Sequence, residues 1–308
     1  MVRVIAIEEH FVTAELHPSN WADGLEDLGE GRLAAMNAAG IDVQVLSAPP
    51  PGVQQLPPDE AIVAARSVND RLAEAVAAAP GRFAGFATLP TPAPKAAATE
   101  LARAVDELGF RGVMLHGHTG GRFFDDPMFL PIFETAHDLD VPVYLHPAPP
   151  PPAVFDAYFS GLDESVAGML ATGAWGWHVE TGLQALRLIV SGLFDRFPSL
   201  QVILGHMGEF VPFGLARADT VLRDAVPGLR RGVAEYFQEN FHVTTSGFFT
   251  APPLQCALSV VGVDRILFAV DYPYAKNADG ADFLRSAPIA PADRAKIAHL
   301  NAERLLAI

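Results

Sequence analysis

The chain predicts a single (β/α)8 TIM barrel spanning residues 1–308, and three observations lead there. Eight apolar runs alternate with helical patterns along its length. Most runs are continuous in Val, Ile, Leu and Phe, as a parallel sheet covered on both faces requires. Several end on a residue that binds metal or moves protons: Glu8 and His10 after VIAI, His146 after VPVYL, His206 after VILG, Asp271 after ILFAV. A parallel barrel turns every strand C-terminus to one rim, so such residues meet there however distant they are in sequence.

The expected strands are 4–7, 43–47, 83–88, 112–115, 143–146, 202–205, 242–245 and 266–270. Helical patterns fall between them near 59–79, 95–108, 127–138, 178–196, 209–224, 228–238, 252–261 and 291–306. The clearest is 59–79, where Ile62, Ala65, Asn69, Leu72, Val76 and Ala79 recur three or four apart along one stripe. Asn69, its polar member, is expected to hydrogen-bond a loop near the barrel. Proline clusters at 48–52 and 147–152 predict stiff, extended loops leaving the rim after the second and fifth strands. No fixed-period repeat or Gly/Ser linker divides the chain.

Composition bounds the partners. Half the residues are hydrophobic and 19% are charged, enough for a large core. A net charge of −15, without a Lys/Arg cluster, argues against nucleic acid and anionic membrane. No apolar run approaches the ~20 residues of a membrane helix, and the N-terminal segment is unlike a signal peptide. Cys256 is the sole cysteine, which excludes an internal disulfide and suits a reducing compartment. The expectation is a soluble cytoplasmic protein.

Strand alternation places Glu8 and His10 on one side of the first strand and Glu9 on the other. A carboxylate and an imidazole two residues apart can then share a divalent ion. An E-x-H alone is common; its weight comes from His146, His206 and Asp271 converging at the same rim. Glu209, three residues after His206, can reach that imidazole and set its tautomer and charge. Arg217 follows on roughly the same helical face and is a candidate for substrate contact or for a salt bridge. Trp21 and Tyr272 are the preferred substrate-binding aromatics among Phe11, Trp21, Trp175, Trp177 and Tyr272. His116 and His118 form an H-x-H ending the fourth strand, with a role at the pocket or in structure left open.

The segments IAIEEHF, PVYLHP, WGWHVETGLQALRLIVSGLFDRFPSLQVILGHMGEFVPF and RILFAVDYPY resemble the metal-dependent decarboxylases of the amidohydrolase superfamily, in particular the γ-resorcylate and 2,3-dihydroxybenzoate decarboxylases. The resemblance runs from the first strand to the eighth. It implies a barrel with one divalent cation, Zn2+ or Mn2+, held by Glu8, His10, His146 and Asp271, with His206 close by. Relatives acting on aminocarboxymuconate semialdehyde usually begin H-x-H, so Glu8 points to the benzoate branch. The strand-four segment and the 21–32 loop depart from the group's pattern, which leaves the ring substituents undetermined.

The implied reaction is decarboxylation of an ortho-hydroxybenzoate-like acid. The ring carbon is protonated before CO2 leaves, with Asp271 as proton donor and His206 and Glu209 supporting it. The alternative from another class is a hydrolase of a lactone or amide that uses an ion-activated water and the same residues. An idle binding barrel fits poorly, because a full set of buried ionisable groups is costly without an ion. Homodimers or homotetramers are common among such enzymes.

Overall fold

The computed structural model describes residues 2–16 and 21–308. Among the described residues eight strands follow in chain order: β1 Ile5–His10, β2 Val43–Ser47, β3 Phe83–Gly85, β4 Val113–His116, β5 Val143–His146, β6 Val202–Leu204, β7 Phe241–Thr244 and β8 Ile266–Leu267. All ladders are parallel, in the runs β1-β2-β3 and β4-β5-β6-β7-β8. Single parallel bridges join the two runs, Ala87 to Val113 on one side and Glu9 to Tyr272 on the other. The barrel is therefore closed, and β3 and β8 are shorter than the sequence predicts because their last residues pair only through these bridges.

The period of two divides the strands between two cores, with β1 changing phase at a register shift between Ala6 and Glu9. Ile5, Ile7, Val45, Phe86, Met114, Tyr144, Ile203 and Leu267 fill the barrel interior. Ala6, Leu46, Val113, Leu145, Val202 and Leu204 face the surrounding helices. Asn69 behaves as its position predicts: it donates to the Thr88 carbonyl at 2.9 Å and accepts the Thr88 N–H at 2.8 Å.

Four helices are not foreseen by periodicity: Glu30–Ala39, Pro152–Phe159, Glu164–Ala171 and Asn277–Ser286. The second proline cluster therefore ends as a helix N-terminus at Pro152, a position where its missing N–H costs nothing. The expected 178–196 helix is Gly176–Val190 followed by a turn at Leu193–Arg196. Among the described residues no helix is long and apolar enough to cross a membrane.

β1 is fastened to the end of β8 by more than its ladder. The backbone N–H groups of Ile7, Asp271 and His10 donate to the carbonyls of Phe268, Glu8 and Tyr272 at 3.2, 2.9 and 2.7 Å. The Glu9 side chain, turned away from Glu8 and His10, accepts the N–H of Val270 at 2.9 Å, the N–H of Tyr272 at 3.1 Å and the Gln44 amide at 3.3 Å. Beside it lies Arg32, wholly buried, which donates to the His10 carbonyl at 2.6 Å and stacks on the Tyr272 ring. Burial pushes the Glu9 carboxyl well above its usual range, against the pull of these donors.

Every neighbour of the Glu9 oxygens donates, so Glu9→Gln sets an amide N–H against a backbone N–H. It is expected to lose about 1–3 kcal/mol of stability, read from urea denaturation. An unchanged unfolding midpoint contradicts the clamp.

Candidate active site

The rim gathers Glu8, His10, His146 and Asp271. One ligand-capable atom from each lies within 4.8 Å of the others. β1 supplies the first pair: Ile7 faces the barrel interior, the register shift between Ala6 and Glu9 turns Glu8 inward as well, and alternation then adds His10. β5 ends on His146. Asp271 follows β8 with φ of 74°, a left-handed conformation unfavourable for a residue with a side chain. It is held there by the Glu9 bonds to both of its neighbours in the chain.

Each ligand is oriented from behind. Glu8 Oε2 accepts the hydroxyls of Tyr144 and, at 3.0 Å, of Thr244, leaving Oε1 toward the cluster. His146 Nδ1 lies 2.7 Å from the Pro147 carbonyl, a bond that places the proton on Nδ1 and frees Nε2. Glu8 Oε1, His10 Nε2 and His146 Nε2 are all buried without a hydrogen-bond partner among the described residues. They nonetheless stand close to counter-groups: His10 Nε2 is 3.1 Å from Asp271 Oδ1, and His146 Nε2 is 3.3 Å from Glu8 Oε1. Two carboxylates and two imidazoles aiming lone pairs at one point is the donor set of a divalent transition metal.

Gly205 is required by this packing. A Cβ there would come within 2.9 Å of Glu8 Oε1 and 3.2 Å of the Tyr144 hydroxyl.

His206 stands beside the cluster on an unusual turn. Residues 206–210 all have φ between 50° and 87°, a single left-handed turn in which only Gly208 is free of Cβ strain. This turn aims the His206 ring inward: Nε2 is 3.7 Å from Glu8 Oε1 and 3.8 Å from Asp271 Oδ2, and Nδ1 is 2.7 Å from Glu209 Oε1. Burial works against a charged imidazole here, but the Glu209 and Glu8 carboxylates outweigh it and hold His206 well above its usual range. Burial likewise opposes the charges of Glu209 and Asp271. The imidazoles of His206 and His178 keep Glu209 below its ordinary value, and those of His10 and His206 do the same for Asp271.

A cavity of about 710 Å³ opens over this group, lined by His146, His206, Asp271, Trp177, Phe248 and Tyr274 among others. That volume falls within the range of small-molecule sites.

The residues expected at the substrate lie elsewhere. Trp21 is 59% exposed, and Arg217 is exposed on the helix Val211–Leu222; neither lines the cavity. The left-handed turn at 206–210 breaks the helical phase by which Arg217 shares a face with His206. Tyr272 leaves the cavity because its N–H is drawn to Glu9 and its ring packs under Arg32. Tyr274 takes the cavity position instead, its ring 5.6 Å from that of His10.

His116 and His118 brace loops: His116 Nε2 is 3.0 Å from the Ala48 carbonyl, and His118 Nδ1 accepts the Gly121 N–H at 3.1 Å. The residue missed is His178, 2.6 Å from Glu209. Nothing in local spacing marks it, since the two are 31 positions apart.

A γ-resorcylate decarboxylase from Polaromonas sp. strain JS666 is 38% identical over 98% of this chain and 97% of its own length. The crystal structure of a dihydroxybenzoic acid decarboxylase from Polaromonas sp. JS666, with bound manganese and the inhibitor 2-nitroresorcinol, superposes with a TM-score of 0.90 at 38% identity, covering 100% of this chain and 97% of that one. The 5-carboxyvanillate decarboxylase of Sphingomonas paucimobilis superposes with a TM-score of 0.92 at 34% identity over the whole of both chains. The amidohydrolase family model matches residues 12–308. The chain belongs to the amidohydrolase family.

Proposed function

We propose that this protein is a metal-dependent carboxy-lyase that removes CO2, without oxidation, from a hydroxylated aromatic carboxylic acid. The observation that carries this is the buried convergence of Glu8 Oε1, His10 Nε2 and His146 Nε2, unpartnered among the described residues, with Asp271 on a cavity sized for an aromatic ring. Decarboxylases that align with the chain end to end support it. Glu8, His10, His146 and Asp271 hold one divalent cation. Manganese stands ahead of zinc because the dihydroxybenzoic acid decarboxylase contains manganese. When bound, the cation supplies Lewis acidity that favours the anionic form of an ortho hydroxyl and pushes electron density onto the ring carbon bearing the carboxylate.

The chain's own residues manage the ring and the proton. Trp177, Phe248 and Tyr274 give the ring an apolar seat. Direct loss of CO2 would leave an aryl carbanion, so the ring carbon takes a proton first. The Asp271 carboxylate, 18% exposed on the cavity and ionised at rest, delivers it after taking a proton from His206. His206, held charged by Glu209 and Glu8, passes that proton to Asp271 across a gap of 3.8 Å. Each turnover thus converts one aromatic carboxylate and one proton into the arene and CO2. The hydrolytic alternative calls on the same residues, and the full-length decarboxylase relatives favour the lyase.

An oligomer is part of the proposal. Trp175, Val179 and Leu183, four residues apart, form an exposed apolar stripe, and Val166, Met169 and Phe213 are exposed as well. A surface of this kind marks a protein interface, here with further copies of the chain as a homodimer or homotetramer. The lone cysteine supports a cytoplasmic setting.

Three outcomes are expected. A panel of hydroxybenzoates with added Mn2+ or Zn2+ yields CO2, and chelation abolishes it; silence across the panel with either metal rejects the function. His10→Ala and His146→Ala lose most bound metal by elemental analysis, whereas Asp271→Asn and His206→Asn lose at least ~100-fold in kcat with His206→Asn keeping its metal. Full occupancy in both alanine variants defeats the ligand assignment. Light scattering gives at least twice the 32.9 kDa of one chain, reduced by Val179→Glu with Leu183→Glu; a monomeric parent protein contradicts the interface.

A further inference from the structure

His178 opens the helix Gly176–Val190 and is 2% exposed. Its Nδ1 lies 2.6 Å from Glu209 Oε2, while His206 Nδ1 lies 2.7 Å from Glu209 Oε1. The two rings are 4.7 Å apart, centre to centre. One carboxylate thus spans two imidazoles. An ionised carboxylate only accepts, so both rings carry a hydrogen on Nδ1 and turn Nε2 away from Glu209.

The two Nε2 atoms face different parts of one cavity. That of His206 faces Asp271 and Glu8. That of His178 lies 3.0 Å from the Gly173 carbonyl, to which it donates when protonated, and 3.2 Å from the Trp177 indole Nε1, whose N–H it accepts when bare. Trp177, Gly173, His178 and His206 all line the cavity. In either state His178 joins Glu209 to the Gly173–Trp177 wall, donating from Nδ1 to the carboxylate and pairing through Nε2 with one of those two groups. Both nitrogen–oxygen separations at Glu209 are hydrogen-bond lengths, so the trio would give up both bonds to hold a cation of its own.

We propose that His178 is a positioning residue. It holds Glu209 against His206 from the far side and ties that carboxylate to the Gly173–Trp177 segment, so the wall that seats the aromatic ring and the histidine that handles the proton are set by one hydrogen-bonded line. The kinetic consequences rest on the decarboxylase reading; the hydrogen-bonded line itself does not.

Three substitutions separate its two bonds. In His178→Asn the amide nitrogen falls near the Nδ1 position and keeps the donor to Glu209. In His178→Gln the side-chain end reaches the Nε2 position, keeping the Gly173 and Trp177 side and losing the donor to Glu209. His178→Phe loses both. With metal content unchanged in all three, kcat is expected to fall about tenfold or more in the Gln and Phe variants. The Asn variant retains most of kcat and shows a raised KM. In 15N-histidine-labelled protein, the His206 Nδ1–H resonance shifts in the Gln and Phe variants and stays in place in Asn.

Wild-type kcat and an unmoved His206 resonance in His178→Phe overturn the proposal, as does equal loss of kcat in the Asn and Gln variants. Should a variant fail to fold, the wild-type spectrum still decides: a His178 Nδ1 without a bound hydrogen refutes the line. If resonances respond as expected while the parent protein releases no CO2 from any hydroxybenzoate, the decarboxylase reading fails and the role of His178 stands.

Discussion

The junction between the first and last strands is the constraint on which the rest of this molecule depends. Glu8, His10 and Asp271 belong to opposite ends of the chain and meet only because β1 and the segment after β8 are bonded edge to edge. The backbone bonds at Ile7, His10 and Asp271 close the barrel, and Glu9 secures the closure by gripping the residues on either side of Asp271. A carboxylate that turns away from the site thereby determines where a ligand on left-handed backbone points. Arg32 extends the grip to the His10 carbonyl and to the Tyr272 ring, so two of the four ligands share one buried support.

Strain and charge are concentrated in the same place. Asp271 and the turn 206–210 occupy left-handed backbone that is costly for residues with side chains, and both present their side chains to the cluster. Carboxylates alternate with imidazoles around it. Glu8 lies near His146 and His206, Asp271 near His10 and His206, and Glu209 between His206 and His178. Each negative charge is offset by a neighbouring ring, which is what allows so many ionisable groups to stay buried.

The scaffold was legible in the sequence because buried parallel strands read as unbroken apolar runs, and a residue closing such a run must lie at the rim. The ligand set was legible for that reason, together with the alternation that separates Glu9 from Glu8 and His10. Other features were hidden for physical reasons. The helices Pro152–Phe159 and Glu164–Ala171 carry exposed Tyr158, Val166 and Met169, so they lack the one-sided pattern of a helix packed on its own core. The helix Glu30–Ala39 buries an arginine, which no apolar periodicity announces. Arg217 was misplaced by assuming a continuous right-handed helix from His206, and Tyr272 by its proximity in sequence to Asp271. His178 emerged only when folding brought two distant helix starts together.

The most direct measurement is anomalous diffraction from crystals grown with Mn2+ and an inhibitory hydroxybenzoate analogue. A single strong peak is expected at about 2.0–2.3 Å from atoms of Glu8, His10, His146 and Asp271, with the aromatic ring between Trp177, Phe248 and Tyr274. A peak elsewhere, or an analogue bound away from that rim, contradicts it.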